Sequence, residues 1–264
     1  MNIEQLHLEV TRNCTLECEH CLRGDRQRIN MDPIILDNIF KDIKYVDQLL
    51  LTGGEPLIAI QALERLVEIL NLKRVKINKI LLITNGTVLS DRVLKVLYNL
   101  QKNSYLVLKL STDIFHYLEL EKKGLLDTRN KNLEQLHKEK FYNFKEYGPD
   151  EVRETTFLLT NKGRTKNLTS ERLQEINSMT NSEYMIDVEN YFDTGHPRTT
   201  LNEGTLEGNI TVDVYGNIVS YGLSFEEEDN ESYENRFNVI EMQFEEAVKL
   251  FINKKNKTKE LVIK

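Results

Sequence analysis

All three cysteines of this 264-residue chain, Cys14, Cys18 and Cys21, lie within eight positions, directly after a stretch (residues 5–10) that alternates like a β-strand. No other feature narrows the fold as much. Three thiols cannot form a fully paired disulfide framework, and their crowding onto one short loop points to a metal. The remaining chain must therefore be a scaffold that presents this loop.

Further strand-like segments occupy residues 48–51, 79–84, 105–111, 155–160 and 183–191, with helical patterns between them. Asp32 and Pro33 form a helix start, followed by Leu36, Ile39, Phe40 and Ile43 at helical spacing. Leu63, Leu66, Val67 and Leu70 repeat that spacing, and Ser90 can cap a helix bearing Val93, Leu97 and Leu100. Alternating strands and helices favour a parallel sheet, open or curled into a barrel, with ligands bound at the carboxyl ends of the strands. Residues 114–154 break the rhythm as a long, charged, helical crossover, or a lid. After the sixth strand, residues 208–222 read as a hairpin turning at Tyr215-Gly216-Asn217. The acidic run from Phe225 is expected to be a solvated loop. A helix is expected from near Ile240 (Ile240, Phe244, Ala247, Val248, Phe251), ending in a lysine-rich solvated tail.

Composition excludes little but steers partners. With 40% hydrophobic and 29% charged residues the chain reads as an ordinary globular protein, long enough for one α/β domain or one domain with an appendage. A net charge of -7 gives no strong nucleic-acid signal. The first ten residues do not resemble a secretory signal, and no run is apolar enough to span a membrane, so a cytoplasmic location is expected.

The spacing C-x3-C-x2-C suits three irons of a four-iron cluster, with the fourth iron left without a protein ligand. Zinc is the competing ion, in a Cys3His set completed by His20 or a distant residue such as His196. A second loop, Gly53-Gly54-Glu55-Pro56, follows the second strand. Its glycines let a ligand approach the backbone, its glutamate can accept from an ammonium group, and its proline directs the exit.

Together the two loops resemble the radical S-adenosylmethionine (radical SAM) family. The resemblance implies a partial (β/α)6 TIM-like barrel over residues 1–200, with a small β-hairpin and helix extension over residues 201–264. It implies that Cys14, Cys18 and Cys21 hold a 4Fe-4S cluster, and that Gly53, Gly54, Glu55 and Pro56 contact the amino group of S-adenosyl-L-methionine. Asn85, at the end of the third strand, and Ser111 and Asp113, at the end of the fourth, become further cofactor contacts. His20 takes the place of the family's usual aromatic residue beside adenine, and Arg164 resembles a contact after the fifth strand. The implied reaction is reductive cleavage of the cofactor to a 5'-deoxyadenosyl radical that abstracts hydrogen, with an external one-electron donor of the flavodoxin or ferredoxin type. The substrate is left open among a peptide, a protein and a small molecule.

The C-terminal hairpin resembles the start of the cysteine-rich (SPASM-like) extension of peptide-modifying members. Ser220 stands where a cysteine is expected, and the absence of any cysteine after Cys21 rules out auxiliary clusters in this chain. Phe115, His116, His196 and Arg198 are candidates to face a substrate. Rival readings are a glycyl-radical activase, a nucleotide modifier, and a non-catalytic binding protein stapled by zinc or an iron-sulfur cluster.

Overall fold

The computed structural model describes residues 1–139, 141, 144–147, 156–180, 183–187, 199–220, 222–235 and 237–262. Its centre is β1 (Asn2–Thr11), buried along its last six residues because neighbours cover both faces. Parallel to it on one side runs β2 (Tyr45–Gly53), then β3 (Lys76–Thr84), β4 (Tyr105–Ser111) and the short β5 (Phe144–Tyr147).

The connecting helices start where local chemistry dictates. Asp32 caps α1 (Pro33–Lys41) by accepting from the Ile34 N–H at 3.0 Å, with Pro33 in the first turn. Ile35, Leu36, Ile39 and Phe40 then face the sheet. In α2 (Ile60–Asn71) Leu63, Leu66, Val67 and Leu70 are buried. Ser90 caps α3 (Asp91–Asn103), accepting from the Val93 N–H at 3.3 Å. These stripes and the sheet form one main apolar core.

The structure departs from the sequence reading in three places. First, residues 114–154 hold α4 (Ile114–Lys122) and α5 (Leu126–Lys138), as expected of a helical crossover, but also β5, which pairs with β4. Four residues are too few to show a period in sequence; pairing with β4 defines the strand. Second, β6 (Thr156–Thr160) and β7 (Glu183–Asp187) pair in parallel with each other in a two-stranded sheet and, among the described residues, do not continue from β4. The helix α6 (Ser170–Ser178) connects them.

Third, the C-terminal region is more ordered than its charge suggests. β8 (Thr200–Asn202) and β9 (Thr205–Val212) are antiparallel, and β9 runs parallel to β1, extending the main sheet past residue 200. The expected hairpin is present: β10 (Ile218–Val219) returns along β9. Its turn is held by Asp213, which accepts from the N–H groups of Tyr215 and Asn217 at 2.9 and 2.8 Å, while Gly216 takes the left-handed conformation at φ +86°. The acidic run expected to be a solvated loop is instead helix α7 (Phe225–Asn235), with Phe225 and Glu228 buried. Glutamates in its first turn suit the positive helix end, and partners from the other end of the chain bury its inner face. The last helix, α8 (Phe244–Val262), begins later than expected and leaves Ile240 exposed, while Phe244, Ala247, Val248 and Phe251 are buried. Among the described residues no helix is long and apolar enough to cross a membrane.

Candidate functional site

The carboxyl ends of β1 to β4 converge on one cavity of about 260 Å³. Cys14, Cys18 and Cys21 line it from the loop after β1. Gly53 and Gly54 line it from the end of β2, Asn85 from the end of β3, and Ser111 from the end of β4. Residues scattered over a hundred positions thus share one wall-to-wall space because parallel strands end at the same edge.

The three thiols are free. Burial pushes the Cys14 thiol up to about 11 and raises that of Cys18 further. A bound cation reverses such a shift by favouring thiolate. Three free cysteines on one loop around one cavity fit the donor set of an iron-sulfur cluster. Leu16 N–H and the Asn85 side-chain amide both point at the Cys14 sulfur, at 3.4 and 3.6 Å. A small apolar cluster of Leu16, Cys18, Phe115, Leu120, Ile176 and Tyr184 anchors the loop from below.

The paired glycines serve the loop as much as the cavity. A Cβ at Gly54 would lie 2.2 Å from the Asn13 carbonyl oxygen, and one at Gly53 (φ +138°) 2.0 Å from that of Thr11. Bare backbone lets Gly54 N–H donate to Thr11 O and Glu55 N–H to Asn13 O, both at 2.8 Å. The Glu55 side chain is wholly buried and does not line the cavity. Its carboxylate accepts from Leu57 N–H at 3.2 Å, the Thr84 hydroxyl at 2.8 Å and Asn85 N–H at 2.8 Å, so it ties the end of β2 to the end of β3. Burial raises its pKa to about 7 against the pull of those donors. Pro56 opens the short 3-10 turn that follows and is also buried away from the cavity.

Asp113 likewise lies outside the cavity lining. It caps α4 through His116 N–H at 3.1 Å and faces two imidazoles, His116 Nδ1 at 2.6 Å and His20 Nε2 at 3.5 Å. Burial alone would raise its pKa, but His20 and His116 hold the carboxyl well below the usual carboxylate range. His20 lines the cavity and stacks on Phe115 with ring centroids 4.5 Å apart. Cys18, His20 and His116 offer ligand atoms within 4.8 Å of one another. Phe115 is core rather than cavity wall. His196 and Arg198 lie outside the described residues.

Arg164 lines the cavity from the short helical turn after β6. Its backbone N–H donates to Cys21 O at 2.9 Å, and its side chain meets Asp25 at 2.8 Å. The loop's other carboxylates are also matched from outside: Glu17 by Arg26 and Lys123, at 3.3 and 2.9 Å, and Glu19 by Arg172 at 2.9 Å.

Sequence reasoning missed Arg12, Arg23 and Phe225, which all line the cavity, and Glu228 behind them. The one local hint was a charged pair, Glu9 and Arg12, at the end of a buried strand.

A family model for the radical SAM superfamily matches residues 8–147. Among solved structures, native anSMEcpe with bound AdoMet and Cp18Cys peptide is 21% identical, with a TM-score of 0.44 over 70% of this chain and 51% of that one. Streptococcus suis SuiB bound to precursor peptide SuiA is 16% identical, with a TM-score of 0.41 over 81% and 58%. The chain thus spans about half the length of the solved chains it matches. No curated protein matches its sequence.

Proposed function

This chain belongs to the radical SAM superfamily, and from that premise we propose that it is an enzyme using a 4Fe-4S cluster and S-adenosyl-L-methionine for hydrogen abstraction from a substrate. One observation carries the reading: three free thiols and the bare backbone of Gly53 and Gly54 line the same cavity. The same glycines seat the loop on β2, so it is their opening onto the cavity beside the thiols that supports a second ligand there. When bound, the pair supplies one-electron cleavage of a sulfonium to a 5'-deoxyadenosyl radical.

The chain's own residues hold, orient and exclude. Cys14, Cys18 and Cys21 would hold the cluster, and the amide of Asn85 directed at Cys14 would fix one thiolate. The exposed edge of Gly53 and Gly54 would take the cofactor's amino group, with Asn85 and Ser111 on the adjoining walls. Glu55 and Pro56 would act indirectly by fixing that edge, and Asp113 by orienting His20 beside the cavity. The apolar cluster under Cys18 would keep water from the reacting centre. An external one-electron donor completes the reaction, and a reducing cytoplasm suits three free thiols. Peptide or protein substrates are proposed only by the weak likeness of the C-terminal hairpin.

A second reading is favoured by the proximity of Cys18, His20 and His116, a set that suits zinc. Anaerobic reconstitution with iron and sulfide, then reduction with S-adenosylmethionine and assay for 5'-deoxyadenosine, separates the two. The proposal expects four irons per chain, nucleoside release, and loss of both in Cys18→Ala. Stoichiometric zinc without nucleoside would establish the staple instead.

A further inference from the structure

Helix α7 lies far in sequence from the cysteine loop yet touches both of its ends. Arg12 stands two residues before Cys14, and Arg23 two residues after Cys21. Arg12 is fully buried. Its Nε donates to Glu9 Oε1 at 2.9 Å, its Nη2 to Glu228 Oε2 at 3.2 Å and its Nη1 to Asp229 at 2.7 Å. Arg23 Nη2 donates to Glu228 Oε1 at 2.6 Å and also to Glu9 Oε2, while its Nη1 reaches the Leu223 carbonyl.

Each of the two glutamates therefore gives one oxygen to each arginine, closing a ring of four side chains across the base of the loop. Phe225 packs against both guanidinium groups, whose central carbons sit 4.9 and 4.7 Å from its ring centroid. Its backbone N–H donates to Arg23 O at 2.9 Å.

We propose that Glu228 is a positioning residue for the three-cysteine loop, clasping both of its ends through Arg12 and Arg23; this rests on the reading of that loop as the cluster site. Glu9 makes the same two contacts, but from the strand that launches the loop. Glu228 comes from a helix beyond residue 200, outside the segment matched by the family model, and makes that extension part of the site. Removing Glu228 takes an acceptor from each of the two buried guanidiniums. Two guanidiniums face three carboxylates here. Burial and the adjacent Glu9 push the Glu228 carboxyl above the usual carboxylate range against the pull of Arg23, and a proton on Glu228 balances the set. A glutamine keeps one acceptor oxygen and turns its NH2 toward the other arginine, so it should hold one end of the loop and not both.

The test uses the reduced, metal-free full chain, comparing wild type with Glu228→Gln and Glu228→Ala by hydrogen exchange and by iodoacetamide labelling of the three cysteines. Glu228→Ala should speed exchange over residues 12–24 and cysteine labelling about ten-fold while β2 and β3 keep their rates, and Glu228→Gln should fall between Glu228→Ala and wild type. Unchanged rates in Glu228→Ala overturn the proposal. So does acceleration spread evenly over β2 and β3, which marks general loosening. Should Glu228→Ala fail to fold, Arg23→Lys decides: an ammonium cannot span Glu9, Glu228 and Leu223 O, so labelling should rise at Cys21 more than at Cys14, and wild-type rates at both overturn the proposal. Neither readout needs iron or S-adenosylmethionine. A reconstituted wild type that releases no 5'-deoxyadenosine would end the functional reading and leave this result standing.

Discussion

The cysteine loop is held on two flanks by opposite means. Against β2 it is held by subtraction: Gly53 and Gly54 carry no side chains, so backbone meets backbone at 2.8 Å. Against α7 it is held by addition, with two arginines and two buried glutamates packed together and Asp229 joining from the exposed rim. The first device is local, cheap and intolerant of a single methyl group. The second depends on every member being present, because an isolated buried charge costs far more than a paired one. A third set, the ion pairs on the loop's outer edge, is exposed and screened and should matter least.

That ranking can be broken by experiment. The largest effect is expected from Gly54→Ala, whose new Cβ would meet Asn13 O at 2.2 Å; backbone must move. Urea unfolding should show a loss of about 3 kcal/mol, and iron uptake on reconstitution should fail. Next comes Glu55→Ala, which strips the acceptor from Leu57 N–H, Asn85 N–H and the Thr84 hydroxyl. About 2 kcal/mol of stability should go, and nucleoside release should fall several-fold.

The α7 flank should show itself in pH dependence. Glu228 has a folded-state pKa above its unfolded value of 4.5, so its stabilising share is complete below that pH and fades as pH rises through the folded value. The groups facing it are Glu9 and Arg12 from the end of β1, Arg23 from the loop, Asp229 on its own helix and Asp213 after β9. Relative to Glu228→Gln, the wild type should lose on the order of 1 kcal/mol from mildly acid to alkaline pH in thermal unfolding. A wild type that gains stability over that range would reverse the assignment of the proton. Least affected should be Arg172→Ala, which removes the exposed pair with Glu19 and should cost below about 0.5 kcal/mol. If Arg172→Ala proved as damaging as Gly54→Ala, the contrast between buried and exposed flanks would fail.

Much of the first flank could be read in advance because its code is local. The C-x3-C-x2-C spacing, the glycine pair after a strand, and Asp32-Pro33 before a helical stripe each say something about their own neighbourhood, and the structure puts strands and helices there. Glu55 shows where such reading stops: its type and place were legible, but its partners, Thr84 and Asn85, come from the next strand and make it a brace between the two strand ends. β5 escaped because four residues carry no period, and its pairing with β4 decides it. The acidic run at α7 was misjudged because charge density ordinarily means solvation. Nothing near Glu228 in sequence says that two arginines from the other end of the chain await it.

The order of residues alone determined that a strand launches three thiols, that a glycine turn follows the next strand, and that parallel strand-helix units frame both, because these signals lie within reach of a few peptide bonds. Only the tertiary structure decided which carboxylates brace the site and which merely face water. The partners of a buried charge are chosen by the folded sheet, which laid β9 beside β1 and brought α7 across the loop.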